Sequence, residues 1–421
     1  MSVSMHPRIS AIGIIFCIVN SAVSQAEDWP QFRGPSGQGH SSARNLPTRW
    51  GAAENIKWKS AIPGQGWSSP VVLGERVFLT TAVAVTDGHP LDRSLHAICL
   101  NGSTGKILWN REVFQQSGRQ TQRIHSKNSH ASPTPITDGR HLFVHFGTLG
   151  TACLTLDGQI KWATRELVYR PQHGNGGSPV LVDGALIVSC DGSDMQFVIA
   201  LEADSGQVRW KRARPTIDRN RKFSFSTPLV IEVDGKTQIV APGTNHVVSY
   251  DPQSGAEIWK VVYHGYSVVP RPVFAHGRVF ISTGYDRPTL LAIKSDGQGD
   301  VTQTHIDWQT QRGAPLTPSM LIVGQELYLV SDRGVASCLE AQSGKVHWTQ
   351  RLGGNYSASP LFADGKIYFQ SETGQTTVIR PGTTYQELAR NQLPGRTLAS
   401  FGVSGDALLL RTDTHLLKIQ Q

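Results

Sequence analysis

Imidazole, amine and carboxamide side chains gather twice in the first half of this chain: His125, Lys127, Asn128 and His130 in one stretch, His173 and Asn175 in another. Imidazole is a common ligand for Zn²⁺ or Cu²⁺ and the usual proton carrier near neutral pH. No carboxylate or Cys stands at a recognised ligand spacing beside these histidines, so no metal site is expected from them. Trp67, Lys222, Tyr266, Arg271 and Tyr356 occupy comparable places, each just ahead of a short apolar run. Donors set among aromatic faces suit ligand binding, and they equally suit turns in which polar side chains satisfy backbone groups.

Other chemistry-bearing patterns are incomplete. Ser68 and Ser404 lack the Gly-x-Ser-x-Gly elbow of a hydrolase, and no kinase catalytic loop is present. Gly34, Gly37 and Gly39 are glycine-rich without a leading strand or a following helix, which argues against a nucleotide site. The stretches Asp191 to Asp194 and Asp296 to Asp300 are oxygen-rich and broken by Gly, but neither has the alternating acids and final Glu of an EF-hand, so hairpin turns account for both. No catalytic residue is assigned. Arg209, Lys211, Arg212, Arg214, Arg219, Arg221 and Lys222 form the densest basic run, readable as a solvated loop or as a patch for polyanions.

The elements that must position these residues are announced by repetition. Ser205-Gly206-Gln207 precedes Trp210, and the same arrangement precedes Trp109, Trp162, Trp259 and Trp348, with the Trp four residues after the Gly. Ser69-Pro70, Ser132-Pro133, Ser178-Pro179, Thr227-Pro228, Thr317-Pro318 and Ser359-Pro360 open most units. A period of about 40 to 50 residues with four strand-like runs per unit predicts a β-propeller. The Gly supplies a tight turn with positive φ, and each Trp covers the neighbouring blade. Unit starts near Ser69, Ser132, Ser178, Thr227, Pro270, Thr317, Ser359 and Ala399 give eight blades of four antiparallel strands. The last unit has three strands, whereas Asn55 to Lys59, carrying Trp58, looks like a lone fourth strand. The expected all-β, eight-bladed propeller is therefore closed by an N-terminal strand that completes the C-terminal blade, which removes exposed strand edges. Trp58, Trp109, Trp162, Trp210, Trp259 and Trp348 are its structural tryptophans.

Composition agrees with this class. The 421 residues are 39% hydrophobic, with 42 Gly, 23 Pro and a formal net charge of +8. Residues 1–26 read as a cleavable signal peptide, with Arg8, an apolar core over 9–19 and the small-residue site Ser24-Gln25-Ala26. No Cys follows that site, so a lipid-modified N-terminus is not indicated, and no later run is apolar and long enough to span a bilayer. Residues 27–54 are expected to form an N-terminal extension and 55–421 the propeller. Cys99, Cys153, Cys190 and Cys338 are expected to be free and buried, with Cys99 and Cys338 taking repeat positions held elsewhere by Ala or Ser.

The repeats resemble those of pyrroloquinoline-quinone (PQQ) dehydrogenases, whose blade-docking motif is matched by Ala200, Glu202, Ser205-Gly206-Gln207 and Trp210. In length, signal and repeat the chain also resembles the non-enzymatic, eight-bladed BamB outer-membrane assembly factors. The opening Asp28-Trp29-Pro30-Gln31-Phe32-Arg33-Gly34-Pro35, with Gly66-Trp67-Ser68-Ser69-Pro70, is similar to secreted PQQ-like propellers of planctomycete bacteria. The dehydrogenase resemblance implies Ca²⁺ held by oxygen ligands against a quinone, an Asp base, an aromatic floor and, in many members, two adjacent cysteines. This chain has no adjacent Cys pair, although Trp67 or Tyr266 offers a stacking face. The expectation is a non-catalytic, monomeric, periplasmic or secreted propeller that binds envelope proteins or a ligand in its axial funnel, with no cofactor and no nucleic acid. The alternatives are a PQQ- and Ca²⁺-dependent alcohol or sugar dehydrogenase, and binding of an anionic polysaccharide.

Overall fold

The computed structural model describes residues 1–4, 27–118, 124–214 and 221–421. Most of the expected signal segment, residues 5–26, lies outside them, and no described helix is long and apolar enough to cross a membrane.

Each repeat folds as a meander of four antiparallel strands, and the described residues form eight such sheets. Blade 1 is Val71–Leu73, Arg76–Ala84, Arg93–Asn101 and Ile107–Gln116. The first strands of blades 2 to 7 are Ile136–Thr137, Val180–Val182, Leu229–Val233, Val273–Ala275, Leu321–Val323 and Leu361–Ala363. Blade 8 is Gly402–Ser404, Ala407–Arg411 and His415–Ile419, completed by Ile56–Ala61 from the other end of the chain. Second strands are apolar on both faces because a blade is covered from both sides; all five residues of Ala407–Arg411 are buried.

The expected closure is observed: Ile56 pairs with Ile419, Trp58 with Lys418 and Lys59 with Leu417. Trp58 then reaches blade 1, its indole Nε1 donating to Gly102 O at 3.0 Å. Trp109, Trp162, Trp210, Trp308 and Trp348 make the same contact with the next blade, at 2.8 to 3.0 Å. Opposite Trp109, Trp210 and Trp348 stand small residues, Cys99, Ala200 and Cys338, whereas Trp58 faces Lys418. The turn Gly of the following blade lies flat beneath the ring; a Cβ on Gly206 would come within 2.6 Å of Trp162 Cε3. Trp259 departs from the pattern, donating to Gln238 Oε1 within its own blade. The enlarged turn Asp296 to Asp300 is the reason, because Gly299–Asp300 pairs in parallel with Trp259 and Lys260. Blade 7 carries no Trp, and its interface with blade 8 takes Leu46 and Trp50 instead, Trp50 stacking on Tyr368 at 6.2 Å.

Four unit starts need correction by one or two residues. The positions two before each first strand are Ser69, Thr134, Ser178, Thr227, Arg271, Ser319, Ser359 and Ser400, so Ser132, Pro270, Thr317 and Ala399 lie upstream of the true equivalents. Repeated Pro at 133 and 135 in one unit, and Pro318 in another, mimicked the Ser-Pro marker out of phase.

Residues 27 to 41 plug one end of the axis. Trp29 pairs with Val72 of blade 1, Pro30 O accepts from Thr137 N of blade 2, and Gln38 Oε1 accepts from Phe274 N of blade 5. His40–Ser41 runs parallel to the first strand of blade 7. The first strands thus end against the plug and begin at the opposite, open mouth.

Candidate ligand site in the axial funnel

Loops entering the first strands converge at that open mouth around a cavity of about 750 Å³, floored by Phe32 of the plug. Five of the ten sequence-derived candidates line it: Trp67, Lys127, Asn128, His173 and Tyr266. The other five stand apart from its wall. Asn175 is buried behind it, donating from Nδ2 to Phe146 O at 3.0 Å and accepting from Tyr169 OH at 2.9 Å. Tyr356 is fully buried in the cluster that joins blades 6 and 7. Arg271 is fully buried and turns toward the plug, where Nη1 donates to Phe32 O at 2.6 Å. His130 and Lys222 are half-buried away from the cavity, and burial holds the His130 imidazole down to about 4.

One side of the funnel is aromatic. His125 and His173 meet edge to face at 5.6 Å, His173 meets Phe223 at 5.3 Å, Phe223 meets Tyr266 at 5.6 Å and Tyr266 meets Tyr285 at 6.0 Å. Burial and then the neighbouring His125 depress the basicity of His173. Burial, followed by a hydrogen bond to Asp286, raises the Tyr266 phenol. Asn128 Nδ2 donates to His173 O at 2.9 Å, locking two loops together.

The other side is charged. Lys127 reaches from the loop ahead of blade 2 to blade 7, where Nζ lies 2.7 Å from Glu372 Oε1, and Asp332 Oδ1 of blade 6 is 4.0 Å away. Asp332 also accepts from Leu316 N, Thr317 N and Thr317 Oγ1 at 2.6 to 3.1 Å, and Glu372 accepts from Ser357 Oγ at 2.6 Å. Among the described residues no cluster of three or more His, Cys, Asp or Glu could hold a metal.

Beneath both walls lies a ring whose members the sequence marks only as openers of the repeat units. Ser400 N donates to Ser69 Oγ, Ser69 N to Thr134 Oγ1, Thr134 N to Ser178 Oγ and Ser178 N to Thr227 Oγ1, at 2.9 to 3.1 Å. The ring resumes with Arg271 N to Ser319 Oγ, Ser319 N to Ser359 Oγ and Ser359 N to Ser400 Oγ, at 2.9 to 3.0 Å. Seven of the eight equivalent positions thus carry a hydroxyl that stitches adjacent blades; Arg271 holds the eighth, and its Nε donates to Pro228 O at 3.0 Å.

Much of the basic run is engaged among the described residues. Arg209 pairs with Glu202, Lys211 lies 3.9 Å over the Phe197 ring, Arg214 is buried against Asp191 and Arg221 pairs with Asp286; Arg219 lies outside the described residues. Asp191, weighed above as part of a Ca²⁺ loop, is consumed by Arg214.

A closed ring of eight sheets around a ligand-sized axial funnel defines an eight-bladed propeller with one open mouth. Residues 194–323 and 302–384 match the family described as outer membrane protein assembly factor BamB. Over those residues the chain is similar to that family, and the whole ring has the fold of a β-propeller. BamB from Moraxella catarrhalis shares the fold with a TM-score of 0.59 at 12% identity, covering 86% of this chain and 99% of that one. A quinohemoprotein alcohol dehydrogenase from Comamonas testosteroni shares it with a TM-score of 0.66 at 10% identity, covering 94% and 81%. A europium-containing methanol dehydrogenase gives 0.63 at 11% identity, covering 91% and 89%. No curated protein sequence matches significantly.

Proposed function

We propose that this chain is a non-catalytic binding propeller of the cell envelope, secreted or periplasmic, that takes its ligand in the axial funnel. The observation carrying the proposal is the state of the funnel's acids: Glu372 and Asp332 are both engaged, by the Lys127 ammonium and by backbone and hydroxyl donors. A general base must be free to take a proton from substrate, and both carboxylates are already tied to donors of the wall. The same donor set does not fit a Ca²⁺ and quinone pair, because an ammonium already occupies the place between the two carboxylates that a cation would take. The four buried thiols are each alone, so no disulfide can roof a planar cofactor. Aromatic faces on one side and fixed donors on the other are the composition of a binding pocket. The envelope assignment rests on the signal-like leader and on the likeness to an outer membrane assembly factor. Adding PQQ and Ca²⁺ to the purified protein and following dye reduction with alcohols and sugars should give no turnover; clear turnover would overturn the reading. Crosslinking in cells followed by mass spectrometry should recover envelope partners at the open mouth.

A further inference from the structure

The stitching ring has a chemical consequence at the funnel floor. A Ser or Thr hydroxyl carries one donor and two acceptor sites. In each of the seven ring hydroxyls an acceptor site is taken by a backbone N–H, and none donates to an acceptor among the described residues. All seven line the cavity, and all are more than nine-tenths buried. Seven O–H donors therefore converge on one floor without acceptors.

An independent feature gives that floor its sign. Arg33, Arg271 and Arg411 are fully buried, and no carboxylate pairs with any of them among the described residues. Each lies against the ring. Arg271 holds the ring's eighth position, Arg33 Nη2 donates to Met320 O beside Ser319 at 2.6 Å, and Arg411 Nη1 donates to Ser68 O beside Ser69 at 3.1 Å. Arg33 Nε and Nη1 and Arg411 Nε have no hydrogen-bond partner among the described residues. Burial pushes each of these guanidinium groups down to about 9. Three cations without counterions under a low-dielectric floor set up a positive potential that an anion above them would relieve. The two acids on the upper wall are matched in number by two cations, Lys127 and Arg333, the latter also lining the cavity.

We infer that the hydroxyl ring is an oxyanion-binding crown, and that the funnel takes an acidic saccharide with its carboxylate on the crown and its sugar ring against the faces of Tyr266 and of Phe225, which lines the same cavity. The crown supplies convergent O–H donors that a carboxylate, with only acceptor sites, can use several at a time. Aromatic faces beside a ring of donors favour a ligand with an apolar ring face and polar edges, which a pyranose has and a bare inorganic anion lacks. This inference rests on the funnel being the binding site proposed above.

The probe is tri-galacturonate, titrated by calorimetry into the whole protein at low and at moderate salt. One-to-one binding is expected, weakened at least tenfold by methyl esterification of the probe and by the double variant Ser178→Ala/Thr227→Val, because hydrogen bonds to a charged group are the strong ones. Tyr266→Ala, which leaves the ring intact, should weaken binding severalfold. The melting temperature of each variant is measured alongside, and a variant that does not fold is replaced by Ser319→Ala or Ser400→Ala. Equal binding of the acid and its methyl ester would overturn the crown while leaving the funnel as a binding site. Equal stabilisation by acetate at the same carboxylate concentration would overturn the saccharide. No binding of the acid by the wild-type protein would overturn the inference outright, and dye-linked turnover remains the separate test of the reading beneath it.

Discussion

Trp58→Ala tests whether the N-terminal strand holds the ring shut. Trp58 is half-buried between blade 8 and blade 1, its Nε1 bonded to Gly102 O and its ring over Gly105. Covering about 100 Å² of indole at ~25 cal/mol/Å² contributes roughly 2.5 kcal/mol. The lost hydrogen bond adds about 1 kcal/mol, for a total of about 3.5. A chain of about 400 residues has an unfolding entropy of roughly 0.8 kcal/mol/K, so the melting temperature should fall by about 4 °C. Lys57→Ala, on the exposed side of the same strand, is the control and should shift it by less than 1 °C, since such surface changes stay within about 0.5 kcal/mol. Scanning calorimetry on both variants decides the matter. A Trp58→Ala protein melting with the wild type would refute the closure argument, because a seam that can lose its wedge at no cost is not holding the ring.

Gly206→Ala should cost about 1 to 3 kcal/mol more than Gly235→Ala in urea denaturation: both glycines have φ near +70°, but a Cβ on Gly206 strikes Trp162 while one on Gly235 meets open space. Equal losses would remove the interlock from the account. Burial depresses the His145 and His246 imidazoles to about 3, below the unfolded value near 6.5. The unfolded chain then binds more protons, so the stability these two contribute is whole above about pH 6.5 and is lost as pH falls toward 3. With both unprotonated in the fold, these two rings contribute about 2.7 kcal/mol per pH unit to the slope near pH 5, and His145→Gln should lower the slope by about 1.4. A slope unaffected by that substitution would show that the ring is not buried neutral. Cys99, Cys153, Cys190 and Cys338 are free and buried, and burial raises the Cys99, Cys153 and Cys338 thiols to about 12. Ellman's reagent should find these four thiols only after denaturation, and rapid reaction in the native protein would contradict their burial.

The repeat made the propeller legible because most blades use the same parts in the same order: a tight turn, a Trp and a small residue across from it. Those needs are local, so Gly206, Trp210 and Ala200 could be read without knowing their neighbours in space. The closing strand was legible for a related reason, since a fourth strand at one end and a missing one at the other leave a single pairing. The candidate site was legible by half. Trp67, Lys127, Asn128, His173 and Tyr266 face the funnel, whereas Asn175, Arg271 and Tyr356, drawn from the same loops, face inward. Along an irregular loop no period tells one direction from the other.

What the amino-acid sequence determined by itself was the blade, its number of copies and the seam, because patterned burial and turn geometry act over short distances. Tertiary structure decided the site. Phe32 became a floor only when the N-terminal segment crossed the axis, Lys127 met Glu372 only when blade 2 faced blade 7, and scattered serines became a crown only when the ring closed. Convergence on an axis depends on how eight sheets are arranged about it, and no stretch of chain short enough to show a pattern contains that arrangement.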